Sequence, residues 1–381
     1  MAYYLPQFHE TEDNNKWWGK GFTEWVNVKK AKPLFENHNQ PRVPLNNNYY
    51  DLSKIESIKW QTELAKKYGI YGFCIYHYWF NGHLLLEKPL EMIRDSSEIN
   101  FPYSICWANE NWTNAWVAEE GNVKTLIKQD YGDKSDWEKH FQYLLGFFRD
   151  PNYIKESNRP QLVIYRPELI SNLNDMLDYW SDRAIDYGFD GIDFAYQQLS
   201  FAIDPKHDES RFKYSIEYQP GYARYDENHD KKSSDEILFN KFKEKVRRSI
   251  LQIDKKMHTN FLSYFAPQHL KFENYEEICK YIVKRKAINK KSIGGMYVGW
   301  DNTPRKGTKG QVSLGSTPEL FEKYLKLQID NIKTNYSNDY LYIFAWNEWA
   351  EGGYLEPDTK YGYAYLEAIY NALNEDGDQK C

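Results

Sequence analysis

Residues 54–80 read KIESIKWQTELAKKYGIYGFCIYHYWF. Within this stretch Ile55, Ile58, Leu64, Ala65 and Tyr68 recur near the helical period, which predicts a helix from about Lys54 to Tyr68. Ser53 and Glu56 have the spacing of a capping box at its start, and Gly69 follows its end. Then the pattern changes. Tyr71–Tyr76 is nearly continuous in apolar residues, as expected of a parallel strand buried on both faces. The unit recurs along the chain, with eight strand candidates at Ala2–Leu5, Tyr71–Tyr76, Tyr103–Trp107, Gln161–Tyr165, Gly191–Tyr196, Lys213–Tyr218, Gly295–Trp300 and Tyr340–Trp346. A second clear helix has Thr317 as cap and Pro318 in its first turn, where the missing N–H costs nothing. Its apolar stripe runs through Leu320, Phe321, Tyr324, Leu325, Ile329 and Ile332. A last helix from about Tyr361 to Leu373 would close the ring. Interleaved in this way, eight strands favour an α/β fold of one (β/α)8 TIM barrel over a doubly wound sheet. The barrel is expected over residues 1–373, followed by a polar tail, 374–381. Asp226 to Asp235 (DENHDKKSSD) reads as a surface loop.

Composition bounds the rest. The 381 residues carry a net charge of −6, 27% charged and 41% hydrophobic side chains, which fits an ordinary globular protein. A mild acidic balance argues against nucleic acid as the main partner. No apolar run reaches the ~18 residues of a membrane helix; the best, Gly72 to Phe80, is short and contains His77. Four cysteines, Cys74, Cys106, Cys279 and Cys381, are too few and too scattered for a disulfide framework, and Cys74 and Cys106 read as small buried hydrophobes. The chain opens directly on Ala2-Tyr3-Tyr4-Leu5-Pro6, with no basic-then-apolar leader, so a cytoplasmic location is expected unless a leader was removed. The unusual quantity is aromatic content: 33 Tyr, 20 Phe and 13 Trp, 17% of the chain, which asks for a functional explanation.

Position supplies one. Polar and aromatic residues crowd just after the expected strands: His9 and Trp25; Tyr76, His77 and Trp79; Trp107, Asn109, Glu110 and Trp112; Glu217; Trp300, Asp301 and Arg305; Asn347, Glu348, Trp349 and Glu351. In a barrel all these strand ends converge on one face, where barrel active sites lie. A bowl of Trp, Tyr, Asn, Gln, Glu and Arg suits sugar, whose C–H faces pack on aromatic rings while its hydroxyls need planar amides and carboxylates.

Glu348 and Glu351 form the sharpest constellation. Glycosyl transfer by acid/base chemistry uses two carboxyl groups, one kept protonated for the leaving oxygen. Their i, i+3 spacing places both on one side of a turn, and Trp349 supplies an apolar wall that raises a neighbouring pKa. The plain alternative is an acidic turn or a salt bridge to Arg305. Glu110, between Asn109 and Asn111, is the runner-up carboxylate, with hydroxyl binding as its competing role. His9, His77 and His83 lack metal-ligand spacing, and no Gly-rich phosphate cradle is present, so neither metal nor cofactor is expected.

These motifs resemble a known family. Tyr4-Leu5-Pro6-Gln7-Phe8-His9, Trp17-Trp18-Gly19-Lys20-Gly21-Phe22-Thr23-Glu24-Trp25, Tyr76-His77-Tyr78-Trp79-Phe80, Trp107-Ala108-Asn109-Glu110-Asn111-Trp112-Thr113, Trp300-Asp301-Asn302-Thr303-Pro304-Arg305 and Asn347-Glu348-Trp349-Ala350-Glu351-Gly352 resemble the WbsX-type family, named as glycosyltransferases of lipopolysaccharide O-antigen clusters. They are also similar to glycoside hydrolase family 99, the endo-α-mannosidase and endo-α-mannanase barrels. The resemblance implies retaining chemistry at the carboxyl ends of the strands. One glutamate takes the proton of the sugar's own 2-hydroxyl, whose oxygen attacks the anomeric carbon and gives a 1,2-anhydro sugar. A second acts as acid for the leaving group and then as base for water. Matched on the motif, Glu348 would be the 2-hydroxyl base and Glu351 the acid/base. Ala350 stands where the hydrolase motif has His, which puts mannose specificity in doubt.

Three readings follow: a cofactor-free glycoside hydrolase acting on an α-linked oligo- or polysaccharide, a glycosyltransferase of O-antigen or capsule assembly, and a silent glycan-binding barrel. Metal-dependent sugar-nucleotide transfer commonly uses an Asp-x-Asp motif, and the only such pattern, Asp376-Gly377-Asp378, falls in the polar tail. That favours the hydrolase. Neither oligomeric state nor sugar identity is legible.

Overall fold

Eight strands follow one another in chain order: β1 (Ala2–Tyr4), β2 (Phe73–Phe80), β3 (Tyr103–Trp107), β4 (Arg159–Ile164), β5 (Asp193–Gln198), β6 (Phe212–Glu217), β7 (Ser292–Tyr297) and β8 (Leu341–Phe344). Each pairs in parallel with the next, and β8 returns to β1 with Ala2 opposite Ile343, closing the barrel. The computed structural model describes residues 1–114, 124–199, 209–224 and 269–374. The expected loop at Asp226–Asp235, the Asp376-Gly377-Asp378 pattern, the polar tail beyond residue 374 and Cys381 lie outside these residues. No helix among the described residues is long and apolar enough to cross a membrane.

All eight expected strands exist, with shifted ends. β2 starts two residues later than expected and extends to Phe80, because His83–Leu85 folds back on it and prolongs the ladder. β7 starts at Ser292 and ends at Tyr297, releasing Trp300 and Asp301 into the loop above it. The helix Ile55–Lys67 forms as its periodicity requires, but the expected capping box does not. Lys54 is the cap residue with no side-chain bond, because Asp51 captures the turn by accepting the Ser53 N–H at 2.8 Å. Thr317 does cap the helix Pro318–Asn335, accepting from Leu320 N at 3.3 Å. The last helix runs Ala364–Asn374, since Asp358 holds residues 358–361 in a turn by accepting the Tyr361 N–H at 2.6 Å.

Strand parity then decides which side chains see the barrel interior. Tyr3 lies on the axis side of β1, with ring centroids 5.9 Å from Tyr76, 5.1 Å from Tyr218 and 5.5 Å from Tyr342. Cys74 and Cys106 are free and fully buried. Residues of opposite parity face the helices. His77 and Trp107 are neighbours in register and pack on His140 of the helix Lys134–Phe148, as does Trp79, whose ring stacks on His140 at 4.6 Å. His77 and His140 approach through their Nε2 atoms at 3.0 Å. Burial pushes both well below the ordinary histidine pKa, so both rings are neutral and one N–H donates to the other's lone pair.

Candidate active site

A cleft of about 260 Å³ opens at the carboxyl ends of the strands. Its walls are Tyr76 and Tyr78 from β2, Trp112 beyond β3, Tyr165 after β4 and Tyr218 after β6, with Leu5 and Gln7 at the floor. Glu110, Arg305, Glu348 and Glu351 supply its charge.

The loop after β8 is fixed from three sides. Asn347 uses its amide as a strand would: Oδ1 accepts the Leu5 N–H at 2.8 Å and Nδ2 donates to the Leu5 carbonyl at 3.0 Å. Trp349, at the start of the 3-10 turn Trp349–Glu351, stacks on Tyr354 at 3.8 Å and donates from Nε1 to Glu356 Oε2 at 2.6 Å. Glu356 also accepts from Tyr50 and Gln61, yet burial pushes its pKa up to about 7. On the far side Asp301 donates its N–H to the Glu351 carbonyl at 2.7 Å, and Arg42 donates to the Gly352 carbonyl at 3.0 Å. Gly352 must be glycine: its φ is +68°, and a Cβ would lie 2.8 Å from Asp301 N and 2.9 Å from Arg42 Nη2. Burial disfavours the Asp301 carboxylate, but bonds from His38, Gln40 and Thr303 and the Arg42 charge hold it well below the usual range. This is how the sequence positions Glu348 and Glu351 rigidly.

Arg305 joins the charges. Its Nη1 donates to Glu351 Oε1 at 2.6 Å, its Nη2 to Glu348 Oε2 at 3.4 Å and its Nε to Glu24 Oε1 at 2.9 Å. Burial works against the guanidinium charge, but Glu24, Glu351 and Glu348 outweigh it and keep Arg305 protonated. Burial first, and the charge of Glu351 second, drive Glu348 up to about 8, with Arg305 opposing. Such a pair retains one proton near neutrality and so offers an acid and a base together. The Glu348 side chain is 7% exposed and that of Glu351 20%, so Glu348 lies deeper.

The opposite wall repeats the Asn347 device. Asn109 accepts the Arg166 N–H and donates to the Arg166 carbonyl, both at 2.7 Å, one residue before Glu110. Arg166 pairs with Glu110 and Glu168. Burial raises Glu110, and Arg166 opposes the shift.

Of the expected site residues, the structure therefore brings Tyr76, Glu110, Trp112, Arg305, Glu348 and Glu351 to one cleft, with Asn109, Asn347, Trp349 and Asp301 fixing its loops. It does not bring the others there. His77, Trp79 and Trp107 face the helix layer. Glu217 points away from Tyr218 into the same layer, where Tyr336 donates to it and burial pushes it up to about 7. His9 and Trp25 line a neighbouring hollow beyond the Gln7 loop, and Trp300 faces a separate cavity beside Arg42. Gln7, Tyr78, Tyr165 and Tyr218 in the cleft, and Glu24 behind it, are additions to the expected set. Among the described residues no group of three or more His, Cys, Asp or Glu side chains is arranged to hold a metal ion.

The family profile described as "Glycosyltransferase WbsX" matches residues 1–369. The uncharacterized protein WxcX of Xanthomonas campestris pv. campestris is 32% identical over 380 residues, covering 99% of this chain and 50% of that protein. The chain thus spans about half the length of the curated relatives it matches. Among solved structures, the GH99 endo-alpha-mannosidase from Bacteroides thetaiotaomicron superposes with a TM-score of 0.56 at 12% identity, over 98% of this chain and 96% of that one. A glycoside hydrolase-like protein superposes with a TM-score of 0.51 at 12% identity, over 87% and 89%. At such identities the likeness is one of fold.

Proposed function

The chain belongs to the WbsX glycosyltransferase family, and on that premise we propose that it is a carbohydrate-active enzyme cleaving α-glycosidic bonds of a bacterial polysaccharide through Glu348 and Glu351. The observation that carries this reading is Arg305 bridging both carboxyl groups inside an aromatic cleft at the barrel mouth. Aromatic walls hold the sugar's C–H faces. Before substrate binds, burial favours the pair's one proton on Glu348. In the reacting form that proton sits on Glu351, and Glu348, ionised and the deeper group, accepts the proton of the sugar's 2-hydroxyl as that oxygen bonds to the anomeric carbon. Glu351 gives its proton to the departing glycosidic oxygen, and the anomeric C–O bond breaks. Water then enters on the more open Glu351 side, loses a proton to Glu351 and bonds to the anomeric carbon. The 2-oxygen departs and recovers its proton from Glu348. Configuration is retained, both carboxyls return to their starting states, and no cofactor takes part.

The family's description favours a second reading, transfer to a sugar hydroxyl in place of water at the same two carboxyls. A product assay on α-linked bacterial and yeast polysaccharides, with and without sugar nucleotides, separates them. Free reducing ends supply the hydrolytic result, and longer or mixed glycans formed without nucleotide supply transglycosylation. If turnover requires a sugar nucleotide, the two-glutamate mechanism is wrong.

A further inference from the structure

Three carboxylates meet one guanidinium at the barrel mouth, and only two of them line the cleft. The third, Glu24, opens the helix Glu24–Lys30 and is fully buried. Its backbone N–H donates to the carbonyl of Gln7, a floor residue, at 3.0 Å. Its Oε1 accepts from Arg305 Nε at 2.9 Å and from Asn27 Nδ2 at 3.1 Å, while Oε2 has no partner among the described residues. A carboxylate in this position does more than anchor an arginine. Arg305 carries one positive charge, and ionising Glu24, Glu348 and Glu351 together would leave two negative charges uncompensated among largely buried side chains. Like charges so placed favour keeping a proton.

Resting on the reading of Glu348 and Glu351 as the acid/base pair, we propose that Glu24 is a positioning residue for their proton. By engaging Arg305 through Nε, it keeps the guanidinium from neutralising the pair, so one carboxyl of the two stays protonated at working pH. Across the cleft Glu110 is raised by burial and opposed by Arg166, with which it pairs. The remaining groups facing the pair do not titrate near neutrality. Tyr78 on β2, Tyr165 after β4 and Tyr218 after β6 have hydroxyls that burial pushes upward, and Arg305, from the loop after β7, stays charged. Glu24 itself is absent from the cleft wall, which separates this role from substrate contact.

The test is Glu24→Gln, which keeps an oxygen to accept from Arg305 and Asn27 and removes only the charge. Glutamate side chains are labelled with 13C, the Glu348 and Glu351 signals are assigned with Glu348→Gln and Glu351→Gln, and the pair is titrated in folded protein. We expect the upper midpoint to fall by about one pH unit in Glu24→Gln, the response to losing a nearby like charge. Glu24→Asp, which restores the charge, should return the midpoint toward wild type. On a turned-over glycan, the alkaline limb of the bell-shaped pH–rate profile moves down by the same amount. An unmoved midpoint in folded Glu24→Gln overturns the proposal, as does a rate lowered equally at every pH. The titration needs no substrate, so it decides on Glu24 even if Glu348→Gln and Glu351→Gln leave turnover intact and the acid/base reading itself fails.

Discussion

The side-chain amide of Asn347 clasps the backbone of Leu5 on both sides, accepting its N–H at 2.8 Å and donating to its carbonyl at 3.0 Å. The carboxyl ends of the first and last strands are sewn together one residue before Glu348. Asn347→Ala leaves a buried backbone N–H and C=O unpaired, a loss of about 1–3 kcal/mol in unfolding free energy. It also frees Glu348 to drift, and a displacement of an ångström lowers kcat by about a hundredfold. Asn109→Ala breaks the matching clasp on Arg166 and should cost similar stability with a much smaller fall in kcat. Denaturant unfolding and steady-state kinetics on both variants check this.

Among the described residues, Arg305 is the only cation touching Glu24, Glu348 and Glu351 together. Arg305→Met should destabilise the protein by about 3–5 kcal/mol at pH 8, because buried carboxylates lose their partner. The sign of the pH dependence follows. Without the cation the folded pKa values rise further, so the missing stability returns as pH falls and the carboxyls protonate. Equal destabilisation at pH 5 and pH 8 would contradict this account.

Glu217 gives a cleaner pH test because it lies away from the cleft. Burial lifts it from 4.5 to about 7 in the folded chain. A carboxyl raised on folding stabilises the protein below its unfolded pKa, and that contribution is lost as pH rises through the folded value. Glu217→Gln should therefore remove roughly 2–3 kcal/mol of the stability difference between pH 5 and pH 8, read from urea midpoints at the two pH values. Its kcat should match wild type.

Glu110 lines the cleft but stays paired with Arg166. Glu110→Gln should raise KM about tenfold with kcat nearly unchanged, the pattern of a group that binds ground and transition states alike. A thousandfold fall in kcat would move Glu110 into the reacting set.

Tyr76 and His77 differ by one position and end on opposite sides of the barrel wall. The order and number of strands were legible because buried parallel strands leave long apolar runs, and the pairing of Glu348 with Glu351 was legible because three residues fit one turn. Parity was not. A strand buried on both faces has no polar alternation to fix which residues point inward, so His77, Trp79, Trp107 and Glu217 were grouped with residues that share the cleft. Tyr78, Tyr165 and Tyr218 occupy those inward positions instead. Glu24 was hidden for another reason: its partner Arg305 lies 281 residues away, and no local pattern links them. The capping box at Ser53 failed because Asp51, two residues earlier, competes for the same turn.

The central claim is that two carboxyl groups, with no nucleotide donor, perform the chemistry. The most direct measurement is product release from α-linked polysaccharides without any sugar nucleotide, with wild type beside Glu348→Gln and Glu351→Gln. The account predicts glycan fragments from wild type and a loss of at least about a thousandfold in each folded variant. Turnover that appears only with a sugar nucleotide, or that survives in both variants, would contradict it.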